Sequence, residues 1–424
     1  MTDEIAGLCG FLNEAHSVYH AQRAVARRLE KAGYVRLAEQ DVWNLSPGGR
    51  YYVTRGDASG IAFRIPEGDA AGFLISDSHC DRPSWKVKGE LKGAYTRLST
   101  EPYGGAIWST WLDRPLSIAG RISVATADGI RTKLIDLDRD LLVIPSVAIH
   151  MNRQVNEGYK WNPAVDLIPL IGGQDAAGKL TQLLEREAGG EILGHDLYLY
   201  IRQPASVWGV DEDMVSAAAL DDLECVWGCT RGFLESGTGA SIPVLCVQDS
   251  EEIGSCSPQG AASTFLTDTL GRISACLGRN YPELLAQSFM ISADNAHALH
   301  PNHPEYADPS NAPVMGGGVV LKNCARLSYC TDGVSAALIR TFARRGNVPV
   351  QSFFNRADLR GGSTLGHISL SHVSIPTADI GLAQLAMHSC FETASAKDAA
   401  ALVQLMKTYY GSTLRRTSDG YQIL

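Results

Sequence analysis

Glu251 and Glu252 stand side by side in the stretch IPVLCVQDSEEIGS, directly after the apolar run Ile242 to Val247. Two adjacent carboxylates at a strand end can divide labour, one holding a metal ion while the other moves a proton. That division is what a metallohydrolase needs. Two further polar clusters follow short apolar runs in the same way: Ser78-His79-Cys80-Asp81 after Phe73 to Ile75, and Asp294 after Phe289 to Ile291. Asp221 in AALDDL and His388 in QLAMHS add a carboxylate and an imidazole. One His, one Glu, one Asp, a second His and a shared Asp would make two hard nitrogen-and-oxygen sites for paired divalent ions. Zinc suits that donor set first, with manganese or cobalt as alternatives.

Each residue taken alone also has a plainer reading. A lone His79 or His388 is more often a structural histidine than a ligand. Asp221 would suit a helix N-terminus, where an acid is stabilised by roughly 0.3 to 1 kcal/mol. Neighbouring glutamates usually mark a solvated turn.

The elements that must position these residues follow from periodicity. Residues 4 to 33 carry apolar positions at helical spacing and stop at Gly33, which predicts an opening helix pair. Short β-rich runs come next at 51–54, 60–65 and 72–76. From Pro83 to Ala205 the texture changes, and LSIAGRISVATADGIRTKLIDL reads as a hairpin turning at Asp128-Gly129. Strands and helices then alternate: helix 214–236, strand 242–247, helix 261–276, strand 289–292, helix 334–345 and strand 350–354. A last helix places Leu402, Leu405, Met406 and Tyr409 on one face and ends at Gly411. Alternation of this kind predicts an α/β fold in which a mixed sheet is flanked by helices. The stretch 83–205 reads as an inserted β-rich subdomain, with 1–82 and 206–424 forming the body. In open α/β sheets ligands gather at the carboxyl ends of strands, so three such ends would bring His79, Glu251-Glu252 and Asp294 together.

Composition narrows the function classes. At 424 residues the chain is long enough for two or three domains. A net charge of −9 speaks against nucleic acid or an anionic membrane as partner, since both need a basic face. The ten cysteines are scattered without a C-x-x-C pair, which reads as free thiols in a reducing compartment. The N-terminus MTDEIAGLCGFLNEAH lacks a basic leader and a long apolar stretch, so a cytoplasmic protein is expected. Gly237-Thr238-Gly239 is followed by Ile242 where a dinucleotide fingerprint needs its third glycine, and neither a P-loop nor a G-x-S-x-G elbow occurs.

The separate clusters, taken in order, resemble the aspartyl aminopeptidases, a branch of the two-metal aminopeptidases. The likeness runs from GGRYYVTR near Gly48 to QLAMHS ending at Ser389. It is carried by EPYGGAIWSTWLDRPLSIAGR, AIHMNRQVNEGYKWNP, LYLYIRQPA, SEEIGS, SADNAHALHPN and QLAMHS. The resemblance implies a metalloaminopeptidase that removes N-terminal Asp or Glu from peptides. It implies that His79 and Asp294 hold one ion, that Glu252 and His388 hold the other, and that Asp221 bridges the two. Glu251 would be the general base, taking the proton of the attacking water and returning it to the leaving amine. It further implies that His297 lies beside the substrate, that Lys322 and Tyr329 form the specificity pocket, and that His150 reaches into a neighbouring subunit's site. The family pattern is a homododecamer built from dimers, with the β-rich insert at the dimer contact.

The chain departs from the family pattern in three places. Cys80-Asp81-Arg82-Pro83 follows His79 where Thr-Asp-Ser-Pro is usual, leaving Asp81 to orient the imidazole. Leu220-Asp221-Asp222-Leu223 replaces Leu-Asp-Asn-Leu, and Asp358-Leu359-Arg360-Gly361-Gly362 replaces Asp-x-Pro-Cys-Gly. The ligand set survives these changes; substrate preference is the property they bear on. Lys322 alone would otherwise read as a lysine snorkelling to the surface. Two rival readings are a two-metal aminopeptidase of neutral, Leu-like preference and a non-catalytic shell protein that has kept its metals.

Overall fold

The computed structural model describes residues 3–424. Its centre is a nine-stranded mixed sheet. In chain order the strands are β1 (Val35–Leu37), β2 (Arg50–Arg55), β3 (Ser59–Arg64), β4 (Phe73–His79), β5 (Ile242–Gln248), β6 (Phe289–Ala293), β7 (Val319–Asn323), β8 (Val350–Phe354) and β9 (Thr377–Gly381). In space they run β1-β2-β3-β5-β4-β6-β9-β7-β8. The four central strands β5, β4, β6 and β9 are mutually parallel. Buried on both faces, such strands must be apolar throughout rather than alternating. The sequence obeys: Leu245 and Val247 of β5, Leu74 of β4, and Phe289 and Ile291 of β6 enter one core, packed with helices Leu220–Glu235 and Asp398–Tyr410. Val244 and Cys246, Phe73 and Ile75, and Met290 point the other way, to a second core with helix Phe265–Cys276.

The opening helix pair forms as Asp3–Leu12 and Val18–Lys31, the second capped by Ser17. A six-stranded antiparallel sheet uses strands lying between Ser84 and Ile201. Within it, Leu116–Thr126 and Gly129–Asp136 pair across the Asp128-Gly129 turn. That sheet has its own apolar core around Trp85, Trp111, Ile118 and Leu197.

One expected helix is shorter than its periodicity suggests. Met214–Ala217 is a strand, not the first turn of the helix that follows, because it pairs with Glu392–Ser395. Ala219, at φ 57°, ends the extended run, and the helix begins at Leu220. Met214–Ala217 belongs to a small five-stranded sheet with Ser206–Trp208, Ala383–Leu385, Glu392–Ser395 and Ala296–His297. This sheet frames the loop that carries His388.

Candidate metal centre

Register places the chemistry. Gln248 of β5 pairs with His79 of β4, and Ser292 of β6 pairs with Asp77 of β4. Two residues beyond Ser292, Asp294 therefore reaches the height of His79, at the carboxyl ends of three adjacent parallel strands. β9 must pass close behind Asp294, and it does so at Gly381, where any Cβ would lie 2.0 Å from the Asp294 carbonyl oxygen. Ser250, Ala219 and His388 are non-glycine residues at φ 70°, 57° and 67°, in the loops that present Glu251-Glu252, Asp221 and the second imidazole. Left-handed backbone at such residues is retained only where the surroundings enforce it, and it clusters at functional sites.

The ligand atoms converge. His79, Asp221 and Asp294 each offer one within 4.8 Å of the others, as do Asp221, Glu252 and His388. His79 Nε2 lies 3.3 Å from Asp221 Oδ1, and His388 Nε2 lies 3.4 Å from Asp221 Oδ2 and 3.4 Å from Glu252 Oε1. Asp221 Oδ1 and Glu252 Oε1 are buried, yet neither has a hydrogen-bond partner. Buried carboxylate oxygens left without donors cost free energy, and a cation between facing ligand atoms removes that cost. The imidazoles are oriented for the purpose. His79 Nδ1 contacts the Asp81 carbonyl at 3.2 Å, and His388 Nδ1 contacts the Gly105 carbonyl at 3.1 Å, so each ring turns Nε2 inward. The residues present suit a divalent ion bound by nitrogen and oxygen.

Asp81 and Glu392 support this arrangement from behind. The Asp81 carboxylate accepts hydrogen bonds from the Glu251 and Glu252 amides, each at 3.1 Å, and from the Tyr103 hydroxyl at 2.8 Å. Glu392 accepts from the Asp221 amide at 2.9 Å and the His388 amide at 2.7 Å. Asp222 accepts from the His79 amide at 3.2 Å. Sequence reasoning found Asp81 but missed Glu392. Its one signal was an acid inside the otherwise uncharged HSCFETAS, four residues after a candidate ligand.

Crowded acids strain one another's ionisation. Burial, reinforced by Asp294 and Asp221 against the opposing His79, pushes Glu251 up to about 7. Burial likewise lifts Asp294 to about 6 and Glu392 to about 8. Burial also raises Glu252 well above the ordinary carboxylate value. A general base works best when its pKa lies near the working pH, and burial moves Glu251 in that direction.

The remaining candidates divide. His297, Lys322 and Tyr329 line the same cleft as His79, Asp221, Glu251 and His388, a space of about 280 Å³. Lys322 does not snorkel: it is 3% exposed, and its ammonium donates to the Asp294 and Asn295 carbonyls at 3.0 and 2.9 Å. Burial opposes its charge, but Asp294 and then Tyr329 outweigh that and hold it above the ordinary lysine value. The His297 ring packs against Phe353. His150 is not brought to this cleft; it lies on an exposed turn outside it.

Comparison with known proteins settles the kinship. The family model described as "Aminopeptidase I zinc metalloprotease (M18)" matches residues 11–410. A probable M18 family aminopeptidase 2 of Clostridium novyi is 37% identical, with 95% of this chain and 97% of that protein covered. A protein of the same description from Pseudomonas aeruginosa is 38% identical over 96% and 98%. The chain belongs to the M18 aminopeptidase family. As an M18 aminopeptidase it is a metallo-aminopeptidase, a hydrolase acting at peptide N-termini. Solved structures share the fold. The chain in the cryo-EM structure of the Ape4 and Nbr1 complex superposes with a TM-score of 0.92 at 32% identity, covering 96% of this chain and 85% of that one. The S. cerevisiae mApe1 dodecamer gives 0.84 at 26%, with 96% of each chain covered. The mixed α/β architecture is thus that of M18 aminopeptidases, and the zinc in the family's description agrees with the donor set around Asp221.

Proposed function

We propose that this M18 aminopeptidase removes N-terminal Asp and Glu from peptides, using two divalent ions, zinc first, with Glu251 as general base. The reading rests above all on Asp221, whose two carboxylate oxygens each face one imidazole Nε2, at 3.3 and 3.4 Å. That is the arrangement of a bridging ligand, with His79 and Asp294 on one side and Glu252 and His388 on the other. Ions held there would supply Lewis acidity for the scissile carbonyl and an acidified water. The chain's own groups do the rest. Glu251, outside the two ligand sets proposed around Asp221 and tied through its amide to Asp81, takes the proton from the attacking water and delivers it to the departing amine. Lys322 supplies the fixed cation for an acidic first side chain; two of its three donors hold backbone carbonyls, leaving one for the substrate. Tyr329, with the Lys322 ammonium 4.8 Å from its ring centroid, sets the direction of that cation.

The same reading makes residues 83–205 an inserted dimerisation domain on a body of 1–82 and 206–424. It makes His150 a residue contributed across a subunit contact and the enzyme a homododecamer. Exposed apolar side chains around His150, namely Val147, Ile149 and Met151, support a covered surface there. A cytoplasmic setting agrees with ten cysteines left as free thiols. Hydrolysis of Asp-, Glu- and Leu-anilides by zinc-loaded protein tests the substrate class. Asp and Glu should be cleaved fastest, and Lys322→Met should erase that preference by about tenfold or more, the worth of one charged hydrogen bond. Faster cleavage of the Leu substrate by the unaltered enzyme would establish a neutral aminopeptidase instead.

A further inference from the structure

Two loops close the metal cleft around Lys322, and one buried carboxylate ties them together. The first loop carries Tyr329 and the second carries Gly362 and Ser363; all three line the cleft with Lys322. Asp379 of β9 stands directly opposite Lys322 of β7, so the two side chains leave the sheet on the same face. Asp379 is fully buried, and its two oxygens are divided between the loops. Oδ1 accepts from the Thr364 hydroxyl at 2.6 Å, one residue beyond Ser363. Oδ2 accepts from the Cys330 amide, one residue beyond Tyr329. The Asp379 amide in turn donates to the Thr331 hydroxyl at 2.9 Å. Across the gap, the Thr364 amide meets the Ser328 carbonyl at 3.4 Å. Gly366 lets the second loop come this close: a Cβ there would lie 3.0 Å from Asp379 Oδ1 and 2.5 Å from the Ser292 side chain.

A buried carboxylate must be supplied with donors, and both donors here come from the loops. The division of labour around the pocket is then clear. The Asp294 and Asn295 carbonyls fix the Lys322 ammonium, while Asp379 fixes the walls between which a side chain must pass to reach it. We infer that Asp379 is a positioning residue for substrate choice: by holding Tyr329 and the Gly362-Ser363 segment around Lys322, it sets the fit of an acidic first side chain. That role rests on the reading of Lys322 as the cation that receives this side chain. The departures from the family pattern at Leu359 and Arg360 lie in the second loop, just before its anchor at Thr364.

Steady-state hydrolysis of Asp- and Leu-anilides by the zinc-loaded enzyme tests the inference. Asp379→Ala removes both acceptors, and Thr364→Val removes one donor at nearly the same shape. Each should raise KM for the Asp-anilide about tenfold, the worth of one charged hydrogen bond, because the loosened walls no longer hold the substrate against Lys322. KM for the Leu-anilide, kcat and zinc content should stay near the wild-type values, the mark of lost ground-state binding. Asp379→Asn should keep the preference for Asp, since its amide oxygen still accepts from Cys330 and its NH2 group can donate to the Thr364 hydroxyl. An unaltered ratio of Asp to Leu cleavage in Thr364→Val would overturn the proposal. So would equal losses on both substrates, the sign of a merely structural role, or an Asp379→Asn enzyme as unselective as Asp379→Ala. Faster cleavage of the Leu-anilide by the wild type would instead remove the reading of Lys322, and the role of Asp379 with it.

Discussion

Asp81 and Glu392 each hold two of the groups that meet at the centre, and neither belongs to the proposed ligand set. Asp81 takes the amides of both glutamates and faces His79 Nδ1 at 3.4 Å; Glu392 takes the amides of Asp221 and His388. Partners of this kind are typically worth 10- to 100-fold in metal affinity or activity. Asp81→Asn and Glu392→Gln should therefore each weaken zinc binding by about that factor while the fold survives, as competition with a chromophoric chelator would show. Glu252→Ala or His388→Ala should instead lower the zinc content from two ions per chain to one. Metal analysis returning two ions for either variant would remove that residue from the ligand set. Much of this centre was legible in the sequence. His79, Glu251 and Asp294 each follow an apolar run, and a strand end is a place where side chains are offered to a ligand. Glu392 was not legible, because its importance comes from two amides that approach it only in the folded chain. The burial of Lys322 was hidden too, since the two carbonyls that tether it belong to another strand end.

Elements repeat the contrast between local and distant causes. The parallel strands announce themselves as continuous apolar runs, and the hairpin at Asp128-Gly129 is written in its turn residues. Met214–Ala217 carries a helical spacing of apolar residues yet forms a strand, because pairing with Glu392–Ser395 decides it. The paired positions lie 175 to 181 residues apart and leave no local mark. The helix Asp398–Tyr410 reports on the central sheet through Tyr409, whose buried hydroxyl donates to the Ile75 and Phe289 carbonyls at 3.0 and 2.8 Å. Tyr409→Phe should cost roughly 1 to 2 kcal/mol in denaturant unfolding without changing metal content.

Glu224, on the helix Leu220–Glu235, is fully buried; burial and then Asp398 push it up to about 8. An unfolded glutamate titrates near 4.3. The native state thus keeps a proton that the unfolded chain has lost between about 4.3 and 8, so this group's contribution is full below that window and declines as pH rises through it. Glu224→Gln should match the wild type in melting temperature at pH 4 and exceed it at pH 9. A difference that stays constant between those values would show that the carboxyl does not titrate as described.

The whole molecule joins a peptidase body to a second sheet with its own core. No helix among the described residues is long and apolar enough to cross a membrane. Exposed Val147, Ile149 and Met151 flank His150, and the mApe1 neighbour is a dodecamer. If sites are completed across a subunit contact, His150→Ala should lose most of its turnover while keeping its assembly size and zinc. Mixed reassembly of His150→Ala chains with Glu251→Gln chains should then restore part of the activity, since some sites regain both residues. Absence of any recovery would confine each site to one chain. The central claim, that two ions and Glu251 together make the hydrolase, is tested most directly by titrating zinc into metal-free protein while following cleavage of an Asp-anilide. Activity should rise until two ions per chain are bound. Glu251→Gln should take up the same two ions with turnover lower by about 100- to 10,000-fold, the worth of a general base. Loss of an ion in Glu251→Gln, or retention of full turnover, would contradict the account.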